Sequence, residues 1–372
     1  MTRVVIVGCG VVGAAIAYEL SLIPNLNITV VDRQEPAQEC TAAALGVMMG
    51  IISHKVKGRG WRLRETSLRR YETLIPELEA IAEGHIPYNR HGILKLCFPG
   101  EDMAKWEQLA ATRRDRGWQL EILPPYEARM AYPQLADLDM VAAVYSPQDR
   151  QVDPVALTRA LVAAAERNGV SFQFGVAVED ANYTEKSETQ SICDRVETSN
   201  GSLELDWLVV AAGLGSTPLT AHLERPVDIR PVIGQALQLQ MDNPIGDATE
   251  QPVITGNDVH IVPCIGGSEA ITDYWVGATV EFPEPGRDIA GDPALLEELR
   301  TQALQFCRAL AQAKTVRTWS GLRPRPEGQP APIIGPLAGF ENVLLATGHY
   351  RNGVLLAPAT ALEIRDRIAA SE

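Results

Sequence analysis

The sequence predicts an α/β fold of two domains, and three features support this prediction. The chain has 372 residues, more than one small hydrophobic core needs. Its first strand, Arg3–Val7, is a continuous run of β-branched residues, as expected of a parallel strand that is buried on both faces. A glycine-rich turn, a helix-forming segment at 14–20 and a second strand at 27–31 follow. This order of strand, helix and strand predicts a Rossmann-like parallel sheet.

Composition and charge restrict the partners that we expect. The chain is 46% hydrophobic and 22% charged, and its formal net charge is -14. Because a field of this sign repels phosphates and anionic lipids, we expect neither nucleic acid nor membrane insertion. The longest apolar run, 42–52, is far shorter than the roughly 20 residues of a membrane span. A strand that starts near Arg3 argues against a signal peptide.

The six cysteines stand singly, with no C-x-x-C pair and no grouping with histidine. This spacing indicates reduced thiols in a cytoplasmic protein rather than disulfides or a zinc site. We therefore expect no bound metal and a cytoplasmic location. The sequence is compatible with a homo-oligomer but does not identify an interface.

A complete dinucleotide-binding fingerprint follows the first strand. Gly8 allows the tight turn, Gly10 lets the backbone approach a pyrophosphate, and Gly13 lets the helix pack closely on the strand. The free N–H groups of the helix N-terminus attract the pyrophosphate, and Asp32 can accept hydrogen bonds from the ribose hydroxyls. A glycine-rich turn without a ligand is the alternative, but every part falls in the expected order. The predicted nucleotide contacts here are Gly8, Gly10, Val11, Val12, Gly13, Asp32 and Arg33.

Three middle segments extend this site. Small residues at 41–46 allow the backbone to pass close to a ring or phosphate, with an alanine-rich packing face as the alternative. Asp153 and Pro154 begin a helix that runs to about Arg167, and a strand follows at 176–183. A buried strand at 208–213 is stopped by glycine. From these segments we expect cofactor contacts at Thr41, Ala42, Ala43, Ala177, Ala211, Ala212 and Gly213.

The final motif, 343–359, predicts a strand, a glycine turn and a long helix through Arg367. A helix N-terminus at Asn352 and Gly353 directs backbone N–H groups at an anionic group in front of it. Reduced flavin carries its negative charge at the N1–C2=O edge and suits such a position. Another βα unit with a charged turn is the alternative. The predicted contacts are Gly348, Tyr350, Asn352, Gly353, Val354 and Leu355.

Three C-terminal segments, 319–324, 332–335 and 348–359, resemble the signature of glycine oxidases. These flavoenzymes belong to the D-amino-acid oxidase family of FAD-dependent amine oxidoreductases, and several act in thiamine biosynthesis. The fingerprint, the helix that starts at Pro154 and the strand at 208–213 also occur in family order. The resemblance therefore covers nearly the whole chain, and FAD is the cofactor that it implies.

The family fold implies a division of the chain into two domains. The first is a discontinuous, Rossmann-like FAD-binding domain formed by residues 1–85, 147–223 and 318–372. The second is an inserted mixed-sheet α+β substrate-binding domain formed by residues 86–146 and 224–317. The inserted segments contain amphipathic strands and helices but no nucleotide motif.

The resemblance also implies the residues that hold the substrate. Arg323 takes the carboxylate-binding position, since a bidentate arginine is a natural clamp, and Arg351 lies at the flavin edge. For each arginine the alternative is a structural ion pair. His260 replaces a tyrosine of the family, and it can donate a similar hydrogen bond or be a strand histidine without a ligand. Met49, like Met48, is expected near the flavin or the pocket, with core packing as the alternative.

The implied reaction is FAD-dependent oxidative deamination of glycine or another small amino acid. A hydride passes from the α-carbon to flavin N5, giving an imino acid, and oxygen or another acceptor reoxidises the flavin. Leu322 precedes Arg323 where flavin-linked members can use a cysteine, which predicts noncovalent FAD. The alternatives are a flavin dehydrogenase that passes electrons to a quinone or carrier, a 2-hydroxy-acid oxidase, and a noncatalytic FAD-binding module.

Overall fold

The computed structural model describes residues 1–82, 84–135, 138–266, 270–283 and 289–370. The helices are α1 (Val11–Ser21), α2 (Glu39–Ala43), α3 (Gly58–Ala82), α4 (Met103–Arg114), α5 (Pro125–Ala131), α6 (Pro154–Arg167), α7 (Ser216–His222), α8 (Pro293–Phe306) and α9 (Gly353–Ala369). Over the described ranges, no helix combines the length and the apolar character that crossing a membrane requires.

The strands are β1 (Thr2–Val7), β2 (Leu26–Asp32), β3 (Val47–Met48), β4 (Tyr88–Asn89), β5 (Ile93–Cys97), β6 (Glu121–Leu123), β7 (Ala142–Ser146), β8 (Arg150–Val152), β9 (Ser171–Phe174), β10 (Val178–Glu185), β11 (Ser191–Thr198), β12 (Gly201–Glu204), β13 (Trp207–Val210), β14 (Ile229–Gln240), β15 (Val253–Gly256), β16 (Val259–Pro263), β17 (Asp273–Gly277), β18 (Lys314–Pro326), β19 (Ile333–Pro336) and β20 (Val343–Thr347).

A largely parallel sheet carries the N-terminal fingerprint. Its order is β19-β20-β13-β1-β2-β9, and only the pairing of β19 with β20 is antiparallel among the described strands. Helix α1 packs on α6 and α9, and α3 packs on the same two helices. Every residue of β20 is buried, as are most of β1 and β13, because helices pack on one face of the sheet and the antiparallel sheet β10-β11-β12 packs on the other. The predicted α/β fold with a Rossmann-like domain is confirmed.

A mixed sheet forms the second layer of structure. Its order is β18-β14-β17-β16-β15-β5-β7-β6, with β15 parallel to β5 and the other pairs antiparallel. Strand β18 stays paired with β14 as far as Pro326. The predicted domain boundary at 317/318 therefore falls inside a strand of this sheet.

Several local predictions are met closely. Helix α6 begins at Pro154, and the Asp153 carboxylate accepts hydrogen bonds from the N–H groups of Val155 and Ala156. Strand β10 begins at Val178, two residues later than predicted, since the chain at 175–177 turns away from β9. Helix α9 continues to Ala369, two residues beyond the predicted end.

The turn between β1 and α1 brings two backbone segments into unusually close contact. Gly8 has a φ of +105°, a conformation that other residues rarely adopt. A Cβ atom added to Gly13 would lie 1.9 Å from the carbonyl oxygen of Gly8. Helix α1 can therefore reach its observed distance from the sheet only if residue 13 has no side chain.

We expect Gly13→Ala to push α1 away from β1 and to destabilise the protein. Overpacking of this kind costs about 1–3 kcal/mol, and here the opposing atom is backbone and cannot rotate aside. Urea unfolding of the two proteins measures the difference. Ala15→Gly, in the same helix, is the control for a general change in helix propensity; equal stability of Gly13→Ala and the wild type would contradict the packing argument.

Candidate functional site

A cleft of about 440 Å³ opens where the strands of the parallel sheet end at their carboxyl termini. Most predicted site residues line it. These are Gly8, Gly10, Val11, Val12, Asp32, Arg33, Thr41, Ala43, Ala177, Ala211, Ala212, Gly213, His260, Arg323, Gly348, Tyr350, Arg351, Gly353 and Val354. The structure thus brings residues from the first 50 positions, the middle of the chain and its last 30 positions to one place.

Five predicted residues are not part of the described lining of the cleft: Gly13, Ala42, Met49, Asn352 and Leu355. Gly13 does not line the cleft itself but lies directly against Gly8, which does. Asn352 is the residue that precedes α9, and Leu355 is buried in the hydrophobic core of the parallel-sheet domain. Met49 packs against two hydrophobic clusters, and its expected place near the flavin or the pocket stays a prediction.

The fingerprint end of the cleft is shaped to receive a nucleotide. Asp32 accepts hydrogen bonds from the N–H groups of Cys9 at 2.6 Å and Gln34 at 2.9 Å, which fix the carboxylate and leave further lone pairs for ribose hydroxyls. Thr41 accepts a hydrogen bond from Val11 N at 3.1 Å. Gly10 precedes α1 and has no side chain to cap it. The first turn of α1 therefore offers N–H groups and a partial positive charge to a pyrophosphate.

A second helix N-terminus faces the other end of the cleft. Gly353 and Val354 begin α9 and line the cleft, and the Asn352 side chain does not cap the helix. The turn before the helix is held by the hydrogen bond from Tyr350 N to Pro324 O at 3.0 Å. This uncapped helix end can stabilise an anionic edge of a flavin ring.

Arg323 is fixed by backbone rather than by an acid. Its Nη1 donates to the carbonyl oxygens of Ile233 at 3.0 Å and Thr279 at 2.9 Å. None of the carboxylates in the described ranges forms an ion pair with it. A Cβ on Gly234 would lie 2.2 Å from Arg323 Nη2, so the guanidinium rests directly on this glycine. Burial lowers the pKa of Arg323 from its ordinary value, and the charge of Arg351 lowers it further. Arginine nevertheless stays charged at neutral pH.

His260 is electrically neutral at physiological pH. Burial lowers its pKa to about 4, and the neighbouring charge of Arg351 acts in the same direction. Its Nδ1 is buried and has no hydrogen-bond partner among the described residues. A buried N–H without an acceptor is costly, which favours the tautomer with the proton on Nε2. His260 can therefore donate one hydrogen bond to an anion, as a tyrosine hydroxyl does.

Arg351 already has a carboxylate partner. Its Nη2 lies 3.3 Å from Oδ1 of Asp258, which belongs to the turn between β15 and β16. The ion pair joins the loop before α9 to the mixed sheet, and Asp258 is 78% exposed. Because the pair is accessible to water, it is weak enough for Arg351 to exchange partners.

Sequence reasoning missed the small residues that make room in the mixed sheet. Gly234 and Gly321 are direct neighbours on β14 and β18, and a Cβ on Gly321 would lie 2.2 Å from Ala43 Cβ. Glycine inside a predicted strand is a sign of close approach by other groups and could have identified both. Gln34 and Gln38 also line the adenosine end of the cleft, although no sequence motif points to them.

The chain matches the family described as DAO, FAD dependent oxidoreductase, over residues 3–367. It belongs to this family. The FAD dependent oxidoreductase match spans both sheets, and the cleft fits FAD because it has an α1 N-terminus for the pyrophosphate and an acid for the ribose. FAD is therefore the cofactor of this protein.

The chain is similar to curated proteins of two kinds, among others. The bifunctional protein ThiO/ThiG of Trichormus variabilis is 31% identical over 376 residues, which cover 99% of this chain and 53% of that protein. The chain thus spans about half the length of these first relatives. The glycine oxidase of Bacillus licheniformis is 28% identical, with 98% of this chain and 92% of that protein covered.

The chain is also similar to solved structures of glycine oxidases. Glycine oxidase from Bacillus cereus superposes with a TM-score of 0.85 at 25% identity and covers 100% of this chain and 96% of that chain. Glycine oxidase from Geobacillus kaustophilus also has a TM-score of 0.85, at 26% identity and the same coverage. The likeness therefore includes both sheets and the cleft between them.

We expect Asp32→Ala to weaken FAD binding by about 10- to 100-fold, because hydrogen bonds to a charged group contribute ~1.5–3 kcal/mol. Titration of the apoprotein with FAD, followed by flavin fluorescence, measures the dissociation constant. Asp228→Ala removes an exposed acid that pairs with Arg230 and is the matched control. An unchanged dissociation constant in Asp32→Ala would contradict the ribose role.

We expect His349 to make the protein less stable as pH falls. Burial, reinforced by Arg59, lowers its folded pKa to about 3, so the unfolded chain binds the proton first and stability rises with pH up to about 6.5. From pH 7 to pH 5 this residue should remove about 2 kcal/mol from the free energy of unfolding. Urea unfolding of wild type and His349→Gln at both pH values measures it; equal losses in the two proteins would refute the assignment.

Proposed function

We propose that this protein oxidises glycine or another small amino acid with FAD as the electron acceptor. One observation carries the proposal: a half-buried guanidinium, Arg323, lies in the FAD cleft, fixed by two backbone carbonyls and without an acidic partner in the described part of the chain. A structural flavin needs no such group, which disfavours a noncatalytic FAD-binding module. The relatives named glycine oxidase support a small amino acid as substrate.

In this proposal Arg323 and His260 together hold the substrate carboxylate. Arg323 offers the N–H groups that the carbonyls of Ile233 and Thr279 do not use, and His260 adds one donor from Nε2. Arg351 joins them by leaving Asp258 when an anion enters. The substrate carboxylate thus supplies a negative charge, which Arg323, Arg351 and His260 together lack.

The chain itself need not provide a base. Among the described residues that line the cleft, the carboxylates are Asp32 and Glu39, and both lie at the nucleotide end, where Glu39 pairs with Arg33 at 2.5 Å. The amine must therefore enter neutral, and the nearby arginines favour this because they disfavour an ammonium group. Orientation of the α-carbon is the main contribution of Arg323 and His260.

Bound FAD supplies a hydride acceptor at N5 of its flavin ring. The N-terminus of α9 would stabilise negative charge at the ring edge, and the product would be an imino acid. Cys40 lines the cleft, but burial raises the pKa of its thiol to about 11, which supports noncovalent FAD. Oxygen or another carrier as acceptor, a cytoplasmic location and a role in thiamine biosynthesis belong to the same proposal. The division of the chain into an FAD-binding and a substrate-binding domain is also part of this proposal.

We expect glycine to bleach the visible flavin band of the holoprotein in the absence of oxygen. Gly234→Ala should slow this reduction at low glycine concentration by about 10-fold or more, since the new methyl displaces the guanidinium of Arg323 from its carbonyls. Stopped-flow absorbance at a series of glycine concentrations separates the apparent affinity from the limiting rate.

Arg323→Ala with FAD still bound provides the direct comparison. Reduction that is lost or strongly slowed in Arg323→Ala supports the clamp, whereas an unchanged rate would remove it. Bleaching by a 2-hydroxy acid but not by glycine would instead assign the cleft to hydroxy-acid oxidation. Release of all yellow colour on acid precipitation tests the noncovalent attachment.

A further inference from the structure

We propose that Glu281 is a positioning residue for the carboxylate anchor, because it fixes the spacing of the two backbone carbonyls that hold Arg323. The inference rests on the proposed function, since it concerns how the same cleft holds the substrate carboxylate. Glu281 does not line the described cleft, so it would act through Thr279 and Gln235 rather than by contact with substrate.

The Glu281 carboxylate ties three parts of the mixed-sheet domain together. Its Oε1 accepts hydrogen bonds from Gln235 Nε2 at 2.9 Å and from the Thr279 hydroxyl, and its Oε2 accepts one from Asp292 N at 2.8 Å. Gln235 Nε2 also donates to Asp292 O at 2.7 Å. Gln235 and Thr279 are both buried, so water cannot readily replace these bonds.

These side-chain bonds hold the segment 279–281 against β14. Thr279 N donates to Gln235 O at 3.1 Å, and Gln235 N donates to Thr279 Oγ1 at 2.9 Å. Ile233 and Glu281 exchange two further backbone hydrogen bonds, of 2.9 and 3.0 Å. Segment 279–281 therefore lies beside residues 233–235 as a short antiparallel pair, with Glu281 at its end.

Arg323 bridges this pair. One of its carbonyl acceptors, Ile233 O, lies on β14, and the other, Thr279 O, lies on the opposing segment. The guanidinium rests on Gly234, the residue that follows Ile233 in β14. The position of the Arg323 guanidinium thus depends on the distance between two backbone segments. The hydrogen bonds of Glu281 hold these two segments together.

The charge of Glu281 has a second effect. Its carboxylate is an acidic group whose field raises the pKa of Arg323, against the opposing effects of burial and of Arg351. Because the acid is separated from the guanidinium by Thr279, it offsets part of the cost of burying that cation without occupying the carboxylate site. The unused N–H groups of Arg323 then remain free for the substrate.

Glu281→Gln tests the proposal with almost no change in shape. Whichever way the new amide is turned, its NH₂ group faces a donor, either Asp292 N–H or Gln235 Nε2. We expect the segment 279–281 to separate from β14 and the affinity for a carboxylate to fall about 10-fold or more. Titration of the FAD holoprotein with acetate, followed by flavin absorbance, measures this affinity without any turnover.

Steady-state kinetics provide the second measurement. In Glu281→Gln the KM for glycine should rise in parallel with the acetate dissociation constant, while kcat changes less, because the defect is in holding the carboxylate. Thr279→Ser keeps the hydroxyl and should bind acetate as the wild type does, whereas Thr279→Val should weaken it. If Glu281→Gln does not fold, the comparison of Thr279→Ser with Thr279→Val tests the proposal instead.

Glu101→Gln is the matched control. Glu101 lies in the same domain and its carboxylate also accepts several hydrogen bonds, from Phe98 N at 3.1 Å, Lys95 Nζ at 3.2 Å and Trp106 Nε1 at 3.4 Å. Loss of acetate affinity in Glu281→Gln but not in Glu101→Gln supports the proposal. Equal affinities in Glu281→Gln and the wild type, or equal losses in both variants, would overturn it. A wild-type holoprotein that binds neither acetate nor glycine would instead refute the proposed function.

Discussion

The missing side chain at Gly13 is the constraint on which the nucleotide half of the molecule depends. It lets α1 approach β1 until the helix N-terminus reaches the end of the sheet, beside Asp32. Helices α6 and α9 pack against α1, so their positions follow from the same contact. The N-terminus of α9 therefore reaches the opposite end of the cleft at a fixed distance from the first. Two helix ends that face one cleft can serve a long anionic cofactor that has negative groups at separate points.

The sequence predicts the parts of this protein whose causes are local. The fingerprint, the helix from Asp153 to Arg167 and the last strand, turn and helix all depend on sterics and capping within about 20 residues. Ala177, far from the fingerprint in sequence, lines the cleft as expected, and its contact with the cofactor stays a prediction. What local sequence left uncertain was the exact start and end of strands such as β10.

The rest of the site depends on pairings between distant segments. Gly234 and Gly321 face each other only because β14 and β18 align in one register, and 87 positions separate them. The ion pair of Arg351 with Asp258 and the carbonyl acceptors of Arg323 have the same origin. Met49 shows the converse: it follows a segment that lines the cleft, yet it is not part of the described lining and packs against two hydrophobic clusters. Chain proximity alone cannot decide which way a side chain points.

Strand β18 carries Arg323 in the mixed sheet and ends only seven residues before β19 of the parallel sheet. Arg323 and the parallel sheet are thus connected by a short, directly continuous piece of backbone, whereas the turn at 257–258 reaches the cleft through the ion pair of Asp258 with Arg351. A sequence change in that turn would therefore alter the charge beside Arg351 and leave the backbone connection between Arg323 and the parallel sheet intact.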